Sequence, residues 1–170
     1  MILFLVGYAG SGKSTIARRL SRRLGLRTID TDKVVEEQVG ASVADIFLYE
    51  GEEYFRESER AVVETLGHDE SLIVATGGGL PTWSDNMALL NRMGLTIYLR
   101  REPEQILSRL SAYGREKRPM FRGKSDEELL RFMREQLAQR DVYYTQAKLT
   151  VDCAKLSDDD VVEYIINSIK

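Results

Sequence analysis

The chain has 170 residues, 43% hydrophobic and 30% charged, a balance that supports one sizeable core and leaves no room for a second full domain. A net charge of −3 argues against general affinity for nucleic acid or an anionic membrane, and no stretch approaches the roughly 18 apolar residues of a membrane span. The one cysteine, Cys153, excludes an internal disulfide and suits a reducing compartment, so a cytoplasmic protein is expected.

Residues 2–6, Ile-Leu-Phe-Leu-Val, read as a buried strand. The run lacks the basic leader of a signal peptide, and a glycine-rich loop interrupts it at once. That loop, Gly7-Tyr8-Ala9-Gly10-Ser11-Gly12-Lys13-Ser14-Thr15, fits the G-x-x-x-x-G-K-S/T pattern between strand and helix. Its glycines let the backbone N–H groups face a polyphosphate, with a helix N-terminus behind them. Lys13 then reaches the β/γ-phosphates and the Ser14 hydroxyl meets Mg²⁺. The alternative is a plain glycine turn before an amphipathic helix; the full pattern points instead to a nucleoside triphosphate.

A helix over 13–24 follows, with Ile16, Ala17, Leu20 and Leu24 on one face and Gly25 as its stop. Further strands are predicted at 26–29, 71–75, 95–99 and 149–151. Two more helices carry start signals: Ser125 with Glu128, running to about Tyr144, and Ser157 with Asp160 before Val161, Val162, Ile165, Ile166 and Ile169. Short strands alternating with helices imply a three-layer α/β/α domain around a parallel sheet with right-handed crossovers. Two segments exceed simple crossovers. Residues 32–66 are helical but long, punctuated by Gly40 and Gly51, and suit a cover for a second substrate. Residues 113–124 are basic, with a proline and two glycines and no period, and suit a lid. Transfer of a phosphoryl group to a small acceptor needs water excluded, and moving segments do that.

Candidate chemistry clusters at predicted strand ends, the edge where open parallel sheets bind ligands. Asp30-Thr31-Asp32 ends the second strand; if the strand persists, both carboxylates point into the cleft, one helping hold Mg²⁺ and one accepting from an attacking hydroxyl. The alternative is an aspartate capping the next helix. Glu52, Arg56 and Glu59 fall on one helix side and, from pattern alone, read as a solvated ion-pair face. Thr76-Gly77-Gly78-Gly79 ends the third strand, where successive glycines mark a close backbone approach. Arg109, Arg115, Lys117, Arg118, Arg122 and Lys124 oppose only Glu116. Without a stacking array of aromatics or a wider basic surface this reads as a cationic lid rather than a nucleic-acid patch, with Arg118 before Pro119 as the charge stabiliser. Arg140 reads locally as exposed helix, and His68 as a loop residue.

Together these segments resemble the shikimate kinase family of P-loop proteins, from residue 2 to about 169. The likeness rests on the phosphate loop, Asp30-Thr31-Asp32, Phe47, Gly51-Glu52, Phe55-Arg56, Glu59, Thr76-Gly77-Gly78-Gly79, Arg118-Pro119 and Arg140 with Tyr144. It implies transfer of the ATP γ-phosphoryl to the 3-hydroxyl of shikimate, a step toward chorismate and the aromatic amino acids, on a five-stranded sheet of order 2-3-1-4-5. It further implies that Gly10, Ser11, Gly12, Lys13, Ser14 and Thr15 bind ATP, with Arg118 on the phosphates and Arg109 stacked on adenine. Asp32 would hold the reacting hydroxyl, and Asp30 would meet Mg²⁺ through water. Arg56 and Arg140 would grip the shikimate carboxylate, a pairing suited to guanidinium forks. Glu59 would orient Arg56, Phe47 and Phe55 would wall the pocket, Gly78 would donate from its backbone to the ring hydroxyls, and Gly77 and Gly79 would shape the loop. Met120 and Phe121 depart from the family's usual leucines and keep their apolar character. A monomer binding no nucleic acid or membrane is expected. The alternatives are a gluconate-type kinase and a non-catalytic nucleotide-binding regulator. The Asp-Thr-Asp, Phe-Arg and triple-glycine set disfavours the first, and the presence of Lys13, Asp32 and Arg118 disfavours the second.

Overall fold

Every apolar run predicted as a strand joins one sheet. In a computed structural model describing Met1–Lys170, these are β1 (Ile2–Val6), β2 (Arg27–Asp30), β3 (Leu72–Ala75), β4 (Leu95–Arg100) and β5 (Leu149–Asp152). All neighbours run parallel, in the order β2-β3-β1-β4-β5, the order that the family resemblance implied. β1 lies at the centre and is buried at every position, which is why its sequence is continuously apolar rather than alternating.

The helices are α1 (Lys13–Leu24), α2 (Thr31–Val39), α3 (Val43–Tyr49), α4 (Glu52–Glu64), α5 (Asn86–Met93), α6 (Pro103–Arg109), α7 (Ala112–Lys117), α8 (Asp126–Tyr144) and α9 (Asp158–Ser168). Alternate residues of β1 feed two cores. Ile2, Phe4 and Val6 pack with Leu90 of α5, Ile106 of α6 and Leu129 and Met133 of α8. Leu3 and Leu5 pack with Ile16 and Leu20 of α1 and Val161 and Ile165 of α9. Helices therefore cover both faces, and the loops after the strands gather at one edge. A third, smaller cluster of Val35, Ile46, Phe55 and Val62 holds α2, α3 and α4 together. No helix is long and apolar enough to cross a membrane.

The start signals of α8 and α9 work as their sequences predict: Ser125 and Ser157 each form a reciprocal capping box, with Glu128 and Asp160. Two expectations change. Residues 113–124 are not irregular throughout. Ser111 accepts from the Gly114 N–H and starts α7, and a 3₁₀ turn follows at Pro119–Phe121. α7 buries none of its residues, so it has no apolar stripe to read. Likewise β2 does not extend past Asp30: the chain turns into α2 at Thr31, so residues 30 and 32 do not alternate along one strand.

Candidate active site

The phosphate loop leaves the C-terminal end of β1 and enters α1 through Gly12, whose φ of 98° is a left-handed conformation suited to glycine. Lys13 folds back into the loop, and its Nζ donates to the carbonyls of Gly7 at 2.6 Å and Tyr8 at 2.8 Å. Burial lowers its pKa to about 7, with Asp32 as the chief opposing charge. A polyphosphate placed beside it would restore the ammonium form.

The loop is braced from behind by residues without any local signature. Arg101, just past β4, donates from Nε to the Ser11 carbonyl at 2.8 Å. Arg101 and Arg109 both pair with Asp158, the first residue of α9, at 3.4 and 3.1 Å. A methyl group added to Gly12 would sit 2.8 Å from an Arg109 guanidinium nitrogen, so Arg109 lies against the start of α1. Arg101 and Asp158 escaped the sequence reading. The one hint was the Arg100-Arg101 pair following a predicted strand at the ligand edge.

The aspartates divide their work. Asp30 caps α2 by accepting from the Asp32 N–H at 3.1 Å and also accepts from the Ser14 hydroxyl at 2.9 Å. The capping role thus falls to Asp30 itself, and its other oxygen faces Ser14. Two hard oxygen donors side by side suit Mg²⁺, which takes few protein ligands beside substrate phosphates. Asp32, the second residue of α2, projects toward Gly77 and Glu59: a methyl on Gly77 would collide with a carboxylate oxygen of each.

Glu59 and Arg56 are buried, contrary to the solvated face that their spacing suggested. Arg56 Nη1 donates to Glu59 at 2.7 Å, and its guanidinium lies 5.8 Å from the Phe47 ring centre and 5.4 Å from that of Phe55. Burial, followed by the Asp32 charge, raises the Glu59 pKa to about 8, with Arg56 pulling the other way. Burial also raises that of Asp32.

Gly77 and Gly79 are small because charged side chains crowd them: a Cβ on Gly79 would strike the Arg56 guanidinium. One on Gly78 would press on the Ala9 backbone nitrogen at 3.1 Å, with Arg140 Nη1 at ordinary contact distance, 3.5 Å. Tyr144 donates to the Gly78 carbonyl at 2.5 Å, pinning the loop to α8. Arg140 Nη1 and Glu59 Oε1 are buried with no hydrogen-bond partner. Cations buried without a partner are costly, so Arg140 presents an unmet donor to an incoming anion. Arg140 is thus part of the cleft rather than plain exposed helix. Arg118 is half-buried and donates to the Gly114 carbonyl at 2.9 Å. Burial depresses its pKa, with Asp32 and Asp30 as the chief opposing charges.

Residues 9–170 match the family model described as shikimate kinase. A shikimate kinase of Parabacteroides distasonis is 38% identical over 167 residues, 98% of this chain and 96% of that one. The chain belongs to the shikimate kinase family. Among solved structures, shikimate kinase from Bacteroides thetaiotaomicron superposes with a TM-score of 0.91 at 31% identity, covering 99% of this kinase and 98% of that chain. The Acinetobacter baumannii shikimate kinase, solved in complex with shikimate, gives a TM-score of 0.87 at 32% identity, covering 99% and 92%. The kinase therefore uses ATP as co-substrate. Its residues 1–8, outside the family model's span, supply β1 and the opening of the phosphate loop.

Proposed function

We propose that this kinase transfers the γ-phosphoryl group of ATP to the 3-hydroxyl of shikimate, giving shikimate 3-phosphate in the route to chorismate. The observation that carries this reading is one cleft holding Lys13 and Arg118 on one side and Asp32, Arg56 and the unpaired Arg140 around residues 77–79 on the other. That arrangement suits a polyphosphate donor facing a small carboxylated polyol.

Gly10, Ser11, Gly12, Lys13, Ser14 and Thr15 hold the phosphates through backbone N–H groups and the Lys13 charge. Asp32 accepts a hydrogen bond from the acceptor hydroxyl and takes its proton as the oxygen attacks the γ-phosphorus. The bond from that phosphorus to the β,γ-bridging oxygen breaks, and ADP leaves. Lys13 and Arg118 stabilise the charge on the transferring group, the main task in a loose phosphoryl transfer. Arg56 and Arg140 clamp the carboxylate, and Phe47 and Phe55 wall the ring. Glu59 fixes the orientation of Arg56, and Gly77, Gly78 and Gly79 let the ring approach the backbone. Ser14, with Asp30 through water, would hold Mg²⁺, which when bound neutralises phosphate charge. Arg109, held by Asp158 beside the phosphate loop, is assigned to the adenine side. We assign the kinase as a monomer, and the buried free thiol of Cys153 suits the cytoplasm. We assign no nucleic-acid or membrane partner.

ADP release with Mg·ATP and shikimate, gluconate or no acceptor tests the reading. Turnover on the order of 1–100 s⁻¹ is expected with shikimate alone. Turnover only with gluconate would overturn the acceptor, and ATP binding without turnover on any acceptor would favour a regulator.

A further inference from the structure

Tyr8 occupies the second position of the phosphate loop, a place where the motif fixes no residue, yet it is buried to 1% exposure and touches three parts of the site. Its carbonyl accepts from Lys13 Nζ at 2.8 Å. Its ring lies 6.2 Å from that of Phe121, three residues beyond Arg118 in the lid. The Arg140 guanidinium sits 5.8 Å from the same ring centre, within cation–π range. Its hydroxyl donates to Gln136, one helical turn before Arg140 on α8. Arg140 Nη1 is buried without a hydrogen-bond partner; besides Tyr8, the Tyr144 side chain lies against the guanidinium. The Tyr8 ring is thus a surface on which that cation rests.

We propose that Tyr8 is a positioning residue for carboxylate recognition: its ring seats Arg140 at a fixed place relative to Lys13, so that acid group and reacting hydroxyl register together. The lid shares this seat through Phe121. The inference rests on the reading that Arg140 grips the acceptor's carboxylate. In this arrangement the aromatic ring matters more than the hydroxyl, because the ring carries the cation while the hydroxyl only steadies the ring on α8. An aliphatic side chain would fill the space and offer no negative π-face.

The test compares kcat/KM for shikimate and for its methyl ester, which keeps the ring hydroxyls and lacks the charge. Tyr8→Leu is expected to lower the preference for acid over ester about three- to tenfold, while Tyr8→Phe keeps it within about twofold. A simple packing defect would lower both substrates equally and leave the ratio unchanged, and that outcome overturns the proposal. So does a Tyr8→Phe loss as large as that of Tyr8→Leu. If Tyr8→Leu does not fold, Tyr8→Met, whose flexible thioether fills irregular space, carries the same comparison. Arg140→Ala separates the two levels. If it collapses the acid preference while the Tyr8 variants do not, the Tyr8 inference alone fails. If it leaves the preference intact, the carboxylate assignment fails and takes the inference with it.

Discussion

The two halves of the cleft are built on different plans. In the proposed reading the nucleotide half is nearly contiguous: residues 7–15 supply the loop, the lysine and the hydroxyl, Arg109 and Arg118 join from further along the chain, and the backbone would do much of the binding. The acceptor half is assembled from α2, α3, α4, the loop after β3 and α8, and side chains carry it, with Arg56, Glu59 and Asp32 all meeting at glycines that cannot grow. A backbone-built site tolerates changes in the residues between its fixed positions. A side-chain-built site fails piecewise, with each substitution removing one property of the acceptor complex and leaving the donor complex whole.

Single substitutions can break that division. Asp32→Asn keeps the shape and removes the proton acceptor, so kcat should fall about 10²- to 10⁴-fold while nucleotide affinity, read by fluorescence titration, stays within about twofold. Loss of nucleotide binding in this variant would mean the halves are not separable. Next in size, Arg56→Lys retains a charge but not the fork that meets a carboxylate and Glu59 together. KM for shikimate should rise on the order of 10- to 100-fold, with KM for ATP nearly constant; equal rises in both would remove Arg56 from carboxylate recognition.

The smallest effect concerns pH. Glu59 holds its proton more tightly folded, at about 8, than at its ordinary 4.5. A raised acid contributes stability fully below the lower value and loses it as pH climbs through the upper one. Between pH 5 and 8 the melting temperature of the ligand-free wild type should therefore fall relative to Glu59→Gln, by a few degrees (about 2–4 °C per kcal/mol at this size). Lys13, lowered from 10.5 to about 7, acts in the opposite sense, with stability gained as pH rises between those values. It is common to both proteins and cancels in the comparison. Parallel melting curves would show that Glu59 does not carry the proton.

The same contrast decides what a sequence can disclose. The strands, several helix starts and the phosphate loop were legible because each rests on local signals: apolar runs, capping serines, glycines at set intervals; the order of the strands in the sheet came only from the family resemblance. Arg56 and Arg140 read locally as ordinary exposed helix, since periodicity reports which side of its own helix a residue occupies but not what packs against that side. Only the combination of distant motifs pointed to them. The Asp30 and Asp32 reading assumed a strand that continued. In fact Asp30 ends it by capping α2, a choice settled by a hydrogen bond rather than by hydropathy. α7 was invisible because a helix that buries nothing leaves no stripe. Arg101 and Asp158 act across long separations, and nothing near them in the chain announces a partner.

That brace ties the start of the chain to its far end. The Ser11 carbonyl waits for Arg101, 90 residues later, and Arg101 in turn waits for Asp158 at the head of α9. During synthesis the phosphate loop is among the first segments to appear, yet its supports arrive with the last strand and helix described here. A growing chain should therefore acquire ATP affinity late and abruptly, which makes a labelled nucleotide a reporter of completed folding.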